Sequence, residues 1–152
     1  MTLRSSDLRD PHDLMRQLTT RVSLTEDTAF LLLVAEPSTR QELVTVQRLR
    51  TPAALSHWGE ARDELQRTVE SLTIPRGAGP PSHLLLTVVV RAGLCVFGPH
   101  EDQWLLAWRY SHHFAQAYDG GVILVTEHGW RDFMSDEAGF SPALVVSSSA
   151  AS

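Results

Sequence analysis

Apolar and polar positions follow two different rhythms along this chain, and the change of rhythm marks its elements. Phe30-Leu31-Leu32-Leu33-Val34 and Val122-Ile123-Leu124-Val125 are continuous apolar runs, and Leu84 to Val90 is apolar except for Thr87. Runs this short predict strands buried on both faces. Leu43 to Leu49 is more mixed and predicts a partner strand nearer an edge, joined to Thr28–Ala35 through the turn residues Glu36 to Arg40. Leu94 to Phe97 predicts a return strand after an Ala92-Gly93 turn. Three stretches carry helical spacing instead. Asp10 and Pro11 start one with Leu14, Leu18 and Val22 on its stripe, and Thr51-Pro52 starts a second that runs to Leu72. The third spans about His100 to Tyr118, with Trp104, Trp108, Ser111, Ala115 and Tyr118 facing inward.

These elements predict an α+β fold. It is a single domain with a mixed five-stranded sheet, built from two hairpins plus a C-terminal strand, and three main helices packed on it. Residues 1–9 read as a flexible N-terminal arm and residues 10–146 as the domain. The Pro/Gly-rich stretch 75–82 is an internal loop, and the Ser/Ala tail 147–152 is disordered. Ala143 to Val146 is a last apolar run that docks on the core.

Composition narrows the chemistry. The chain has 152 residues and a formal charge of −5, which lacks the electrostatic footprint of a nucleic-acid binder and gives no attraction to an anionic membrane. All 13 basic residues are arginine, and asparagine is absent as well, as the codon usage of a GC-rich bacterial genome would produce. Without lysine there is no Schiff-base chemistry and no P-loop or kinase lysine. The one cysteine, Cys95, allows no intrachain disulfide. With no apolar signal core and no run long enough to span a bilayer, the expected location is the cytoplasm, and no cofactor is expected.

Candidate chemistry concentrates where the Val122 run ends. Ligands of helix-covered sheets tend to sit beyond the carboxyl ends of buried strands, and Thr126-Glu127-His128-Gly129-Trp130-Arg131-Asp132 follows at once. Glu127, His128 and Asp132 are the candidate catalytic residues, because carboxylate and imidazole can transfer protons near neutral pH. Thr126, Trp130 and Arg131 are the candidate binding residues, with an exposed Trp130 suited to anchoring a partner and Arg131 to holding an anion. No metal is expected. His112, His113 and His128 are the imidazoles closest to ligand chemistry, but neighbouring helical positions point about 100° apart, so His112 and His113 do not readily share an ion.

The order of strand, helix, apolar strand and polar segment is similar to that of the JAB/MPN metallopeptidases. That family places a His-x-His pair after such a strand and an aspartate ligand downstream. Here Thr126-Glu127-His128 stands in that place, followed by Asp132 and Asp136, so the first histidine is missing. The expected function is a small binding or regulatory domain that acts through a protein partner or self-association. The alternatives are a small hydrolase, possible with metal assistance, centred on Glu127, His128 and Asp132, and a small-molecule sensor.

Overall fold

The central strand β1 (Thr28–Ala35) is buried at all eight positions, and so is β3 (His83–Val90). Both sheet faces are therefore covered, as the unbroken apolar runs require. In this computed structural model, which describes residues 3–75, 77–111 and 117–145, β1 pairs antiparallel with both β2 (Glu42–Arg48) and β3. A parallel pairing joins β3 to β4 (Tyr118–Thr126). Two short antiparallel strands, β5 (Gly129–Asp132) and β6 (Ala138–Gly139), complete the order β2-β1-β3-β4-β5-β6. The α+β class holds, but the sheet has six strands, not five.

The predicted second hairpin does not form. Residues 94–97 are a loop. The reason is topological: β1 and β4 occupy both edges of β3, so no edge is left for a return strand. Arg91 then gathers the loop, donating to the carbonyls of Ala92, Leu94 and Val96.

Helix α1 (Pro11–Thr19) starts at Asp10, whose carboxylate accepts from the N–H groups of His12 and Asp13. Its Leu14, Met15 and Leu18 pack on Leu32, Val34, Leu86, Val88, Ile123 and Val125 of one sheet face. Near the β2 edge, Arg21 donates to the carbonyls of Leu43 and Val44, which blunts an otherwise open strand. Helices α2 (Gly59–Ser71) and α3 (Pro99–Tyr110) cover the other face through Leu65, Val69, Trp104 and Trp108.

Two helix boundaries differ from expectation. The second helix starts at Gly59, not Thr51. Glu64 reaches back to the N–H groups of Arg50 and Thr51, and Glu60 to those of Ser56 and His57, so the carboxylates hold residues 50–57 against the helix as a loop. The third helix ends at Tyr110, and Tyr118 and Gly121 belong to β4. Gly121 is there because the strands approach closely: a Cβ would lie 2.9 Å from that of Leu86.

Residues 3–9 cross the α1 side of the sheet, with Leu8 packed on the core and the Arg9 N–H bonded to the Pro37 carbonyl. The 75–82 stretch joins α2 to β3 across one continuous sheet. Leu144 docks through its N–H to Thr126 and its side chain to the core, while Val146 and the 147–152 tail lie outside the described residues. Among the described residues, no helix is long and apolar enough to cross a membrane.

Candidate functional site

The Thr126–Asp132 segment is a hairpin. Thr126 pairs with Gly129, leaving Glu127 and His128 as a two-residue turn. The Thr126 hydroxyl accepts from the His128 N–H at 3.1 Å. Gly129 has φ of +119°, and a Cβ there would meet the Gly139 carbonyl oxygen at 2.0 Å, so the turn and the β6 pairing both need glycine. Glu127 is exposed, and its Oε1 accepts from the Gly93 N–H at 2.7 Å. Backbone hydrogen bonds, its own N–H first and then that of Gly93, hold its carboxyl below the usual range. Glu127 thereby pins the 92–98 loop to the turn.

Strand alternation then sends the remaining candidates to opposite faces. Trp130 and Asp132 point to the α1 face, where Trp130 joins the core with 0% exposure. Its indole Nε1 donates to the Ser141 carbonyl at 3.1 Å, and the ring meets His12 edge-on with centroids 4.7 Å apart. A Cβ at Gly139 would lie 2.7 Å from the indole nitrogen. Strand β6 and helix α1 close over the ring, so Trp130 is not exposed as a partner anchor would be. Thr126 is fully buried as well. Of the three candidate binding residues, Arg131 alone reaches solvent.

The candidate catalytic set does not converge. Asp132 is the fourth residue of β5, about 10 Å along the strand from Gly129, and opposite Ile123. It is 3% exposed and accepts from the Ser135 hydroxyl at 2.8 Å and the Met134 N–H at 3.3 Å. Burial pushes its carboxyl above the usual range. His112 and His113 lie outside the described residues. Among the described residues, no three His, Cys, Asp or Glu side chains are grouped so as to hold a metal ion.

On the opposite face the carboxyl ends of β3 and β4 are filled by protein. Arg91 forms a two-pronged pair with Glu101, with both contacts at 2.8 Å and Glu101 fully buried. The same carboxylate accepts from the Gly98 N–H and so starts α3. The loop thus held sets Cys95 near Thr126 and Arg131, and Phe97 edge-on to Phe133 with centroids 5.3 Å apart. Burial pushes the Cys95 thiol up, away from the thiolate that a nucleophile needs.

Sequence reasoning missed two surfaces. In the 92–98 loop and just after β5 and β6, four large apolar side chains stand in solvent: Phe140 at 93% exposure, Leu94 at 72%, Val96 at 56% and Phe133 at 44%. Phe140 was legible as an apolar residue among polar ones, but its exposure depends on the unexpected strand β6. The second surface is a cleft of about 560 Å³ on the α1 face, between residues 3–9, the amino ends of β3 and β4, and the β5–β6 connection. It includes Asp132 and lies away from the carboxyl end where a site was expected.

Comparison with protein-family models, curated proteins and solved structures yields no match for this chain.

Proposed function

We propose that this chain is a binding domain that works through self-association, a second copy docking on the sheet face over β5 and β6. The observation that carries the reading is the exposure of Leu94, Val96, Phe133 and Phe140, which stand in the 92–98 loop and just after β5 and β6. Large apolar side chains gathered at one place mark interaction surfaces, whereas scattered ones do not. The ring contact of Phe133 with Phe97, which is anchored in the core, keeps this surface rigid and lowers the ordering cost of docking.

A second copy suits the surface because its charges are self-complementary. Arg131 lies among these residues with its side chain 38% exposed. Among the described residues its Nε makes no hydrogen bond, and the Asp136 carboxylate, 3.8 Å away, is itself 81% exposed. In a two-fold pairing each Arg131 can meet the Asp136 of the other copy, as an isologous interface requires. The hydrolase alternative gains no comparable support: Glu127 and His128 form the turn, and Asp132 faces the other side of the sheet.

Sedimentation velocity across a wide concentration series tests the proposal. The expected result is a dimer that Phe140→Asp and Leu94→Asp convert to monomer, with the melting temperature of the monomer unchanged. A wild-type chain that sediments as monomer throughout refutes it. So does a dimer that survives both substitutions.

A further inference from the structure

The cleft on the α1 face holds an unusual charge. Asp132 is almost fully buried, yet its hydrogen-bond donors are all neutral: the Ser135 hydroxyl and the N–H groups of Met134 and Ser135. Among the described residues, no arginine or histidine lies within ion-pair distance of its carboxylate. Buried carboxylates ordinarily have a cationic partner, because removing the charge from water is costly. The nearest charge with a resolved effect is another anion, Glu137, which adds to the upward push of burial on Asp132.

The rest of the cleft does not supply the missing cation. Two arginines line it, Arg4 and Arg9. Arg4 is engaged by Asp7 at 3.3 Å, and Arg9 by Asp13 at 3.6 Å. Leu84 and Leu86 provide an apolar floor. The volume, about 560 Å³, falls within the usual range for small-ligand sites.

We propose that this cleft binds a small organic cation, an ammonium or guanidinium group carried on an apolar body, with the charge on Asp132 and the body over Leu84 and Leu86. The charge-assisted hydrogen bond replaces the missing counter-ion, and the two leucines reward an apolar substituent. Phe140 does not line this cleft, and the proposal does not rest on self-association.

Two-dimensional NMR of the full chain, titrated with 2-phenylethylamine, 2-phenylethanol and phenylacetate, tests this. The amine is expected to shift the methyl resonances of Leu84, Leu86 and Met134 with saturation, and the alcohol and the acid to do so far more weakly. Asp132→Asn should weaken amine binding about tenfold or more. Because that change sits in a packed turn, Glu137→Gln serves as a second variant on an exposed residue and should weaken binding several-fold without altering the fold. A capped arginine dipeptide, compared with the free amine, distinguishes a peptide side chain from a free metabolite as the source of the cation. Equal binding of the alcohol, shifts confined to other residues, or full amine affinity in both variants would overturn the proposal. Absence of saturable shifts with both cations would do the same.

Discussion

Replacing Trp130 with alanine separates a packed hairpin from a functional strand end. The side chain is fully buried against the α1 face, and its indole N–H bonds the Ser141 carbonyl. Removing it opens a cavity walled by strands that cannot collapse, because β5 is paired on both sides. A buried tryptophan truncated this way costs about 3–5 kcal/mol. The Ser141 carbonyl loses its donor as well, which belongs to the same total rather than adding a separate term. For a chain of this size each kcal/mol lowers the melting temperature by roughly 2–4 °C, so a drop of about 10 °C is expected. Trp130→Phe keeps most of the ring but loses the hydrogen bond, and should cost about 1–3 kcal/mol. His128→Ala, at an exposed turn position, should change stability by less than about 0.5 kcal/mol. Urea unfolding monitored by far-ultraviolet circular dichroism gives all three values, with unchanged denaturant slopes confirming that the same transition is compared. A loss below about 1 kcal/mol for Trp130→Ala would refute the packing argument. Equal losses for Trp130→Ala and His128→Ala would do so too.

Three further outcomes are expected. Trp104→Ala should cost about 3–5 kcal/mol, since the ring is buried and bonded to the Ala53 carbonyl, while Arg109→Ala on the exposed side of α3 should stay within about 0.5 kcal/mol; similar thermal shifts for the two would mean that the helix is rotated. Glu101→Gln leaves the Arg91 charge without its buried partner and should cost about 3–5 kcal/mol, with part of the loss restored in the Arg91→Met, Glu101→Gln double variant, as a double-mutant cycle would read. Asp132 has its folded pKa raised, so the folded chain holds this proton more tightly than the unfolded one; its contribution is most favourable below the unfolded value of about 3.9 and is lost as pH rises through the folded pKa. Unfolding free energies of wild type and Asp132→Asn measured from about pH 4 to pH 7 should therefore shift in favour of the variant as pH rises, and a difference that is flat or moves the other way contradicts the burial of this carboxylate.

Strands β1, β3 and β4 were legible because unbroken apolar runs mean burial on both faces, and α1 because Asp10 and Pro11 specify its start. The failures have separate physical causes. Leu94–Phe97 has the composition of a strand, but whether it can pair depends on β4 taking the edge of β3. Thr51-Pro52 resembles a helix start, but Glu60 and Glu64 bond the preceding N–H groups as a loop. Trp130 looked like a loop residue because β5 and β6 are only four and two residues long, too short for a periodic signal. Asp132 was named from its position after a buried strand, and it does line a cleft, though one on the side that the strand-end rule does not favour.

That reversal follows from the connections. The carboxyl-end rule works where a strand hands over to a helix through a loop that leaves a crevice. Here β4 turns straight back in a two-residue hairpin, and the loop from β3 to α3 is folded down by Arg91, Glu101 and Glu127. Cys95 and Phe97 fill the space that a ligand would take. At the amino ends the cover is lighter. Helix α1 packs against β2, and residues 3–9, not a helix, lie over the start of β3 and β4. The open face therefore moves to the amino end, where Asp132 supplies charge, while β5 and β6 project past α3 and leave their other side apolar. Since Phe140 does not line the cleft that contains Asp132, substitutions at the two should act additively. Dimer dissociation by Phe140→Asp that also abolished amine binding would show instead that the faces communicate through the short β5–β6 connection.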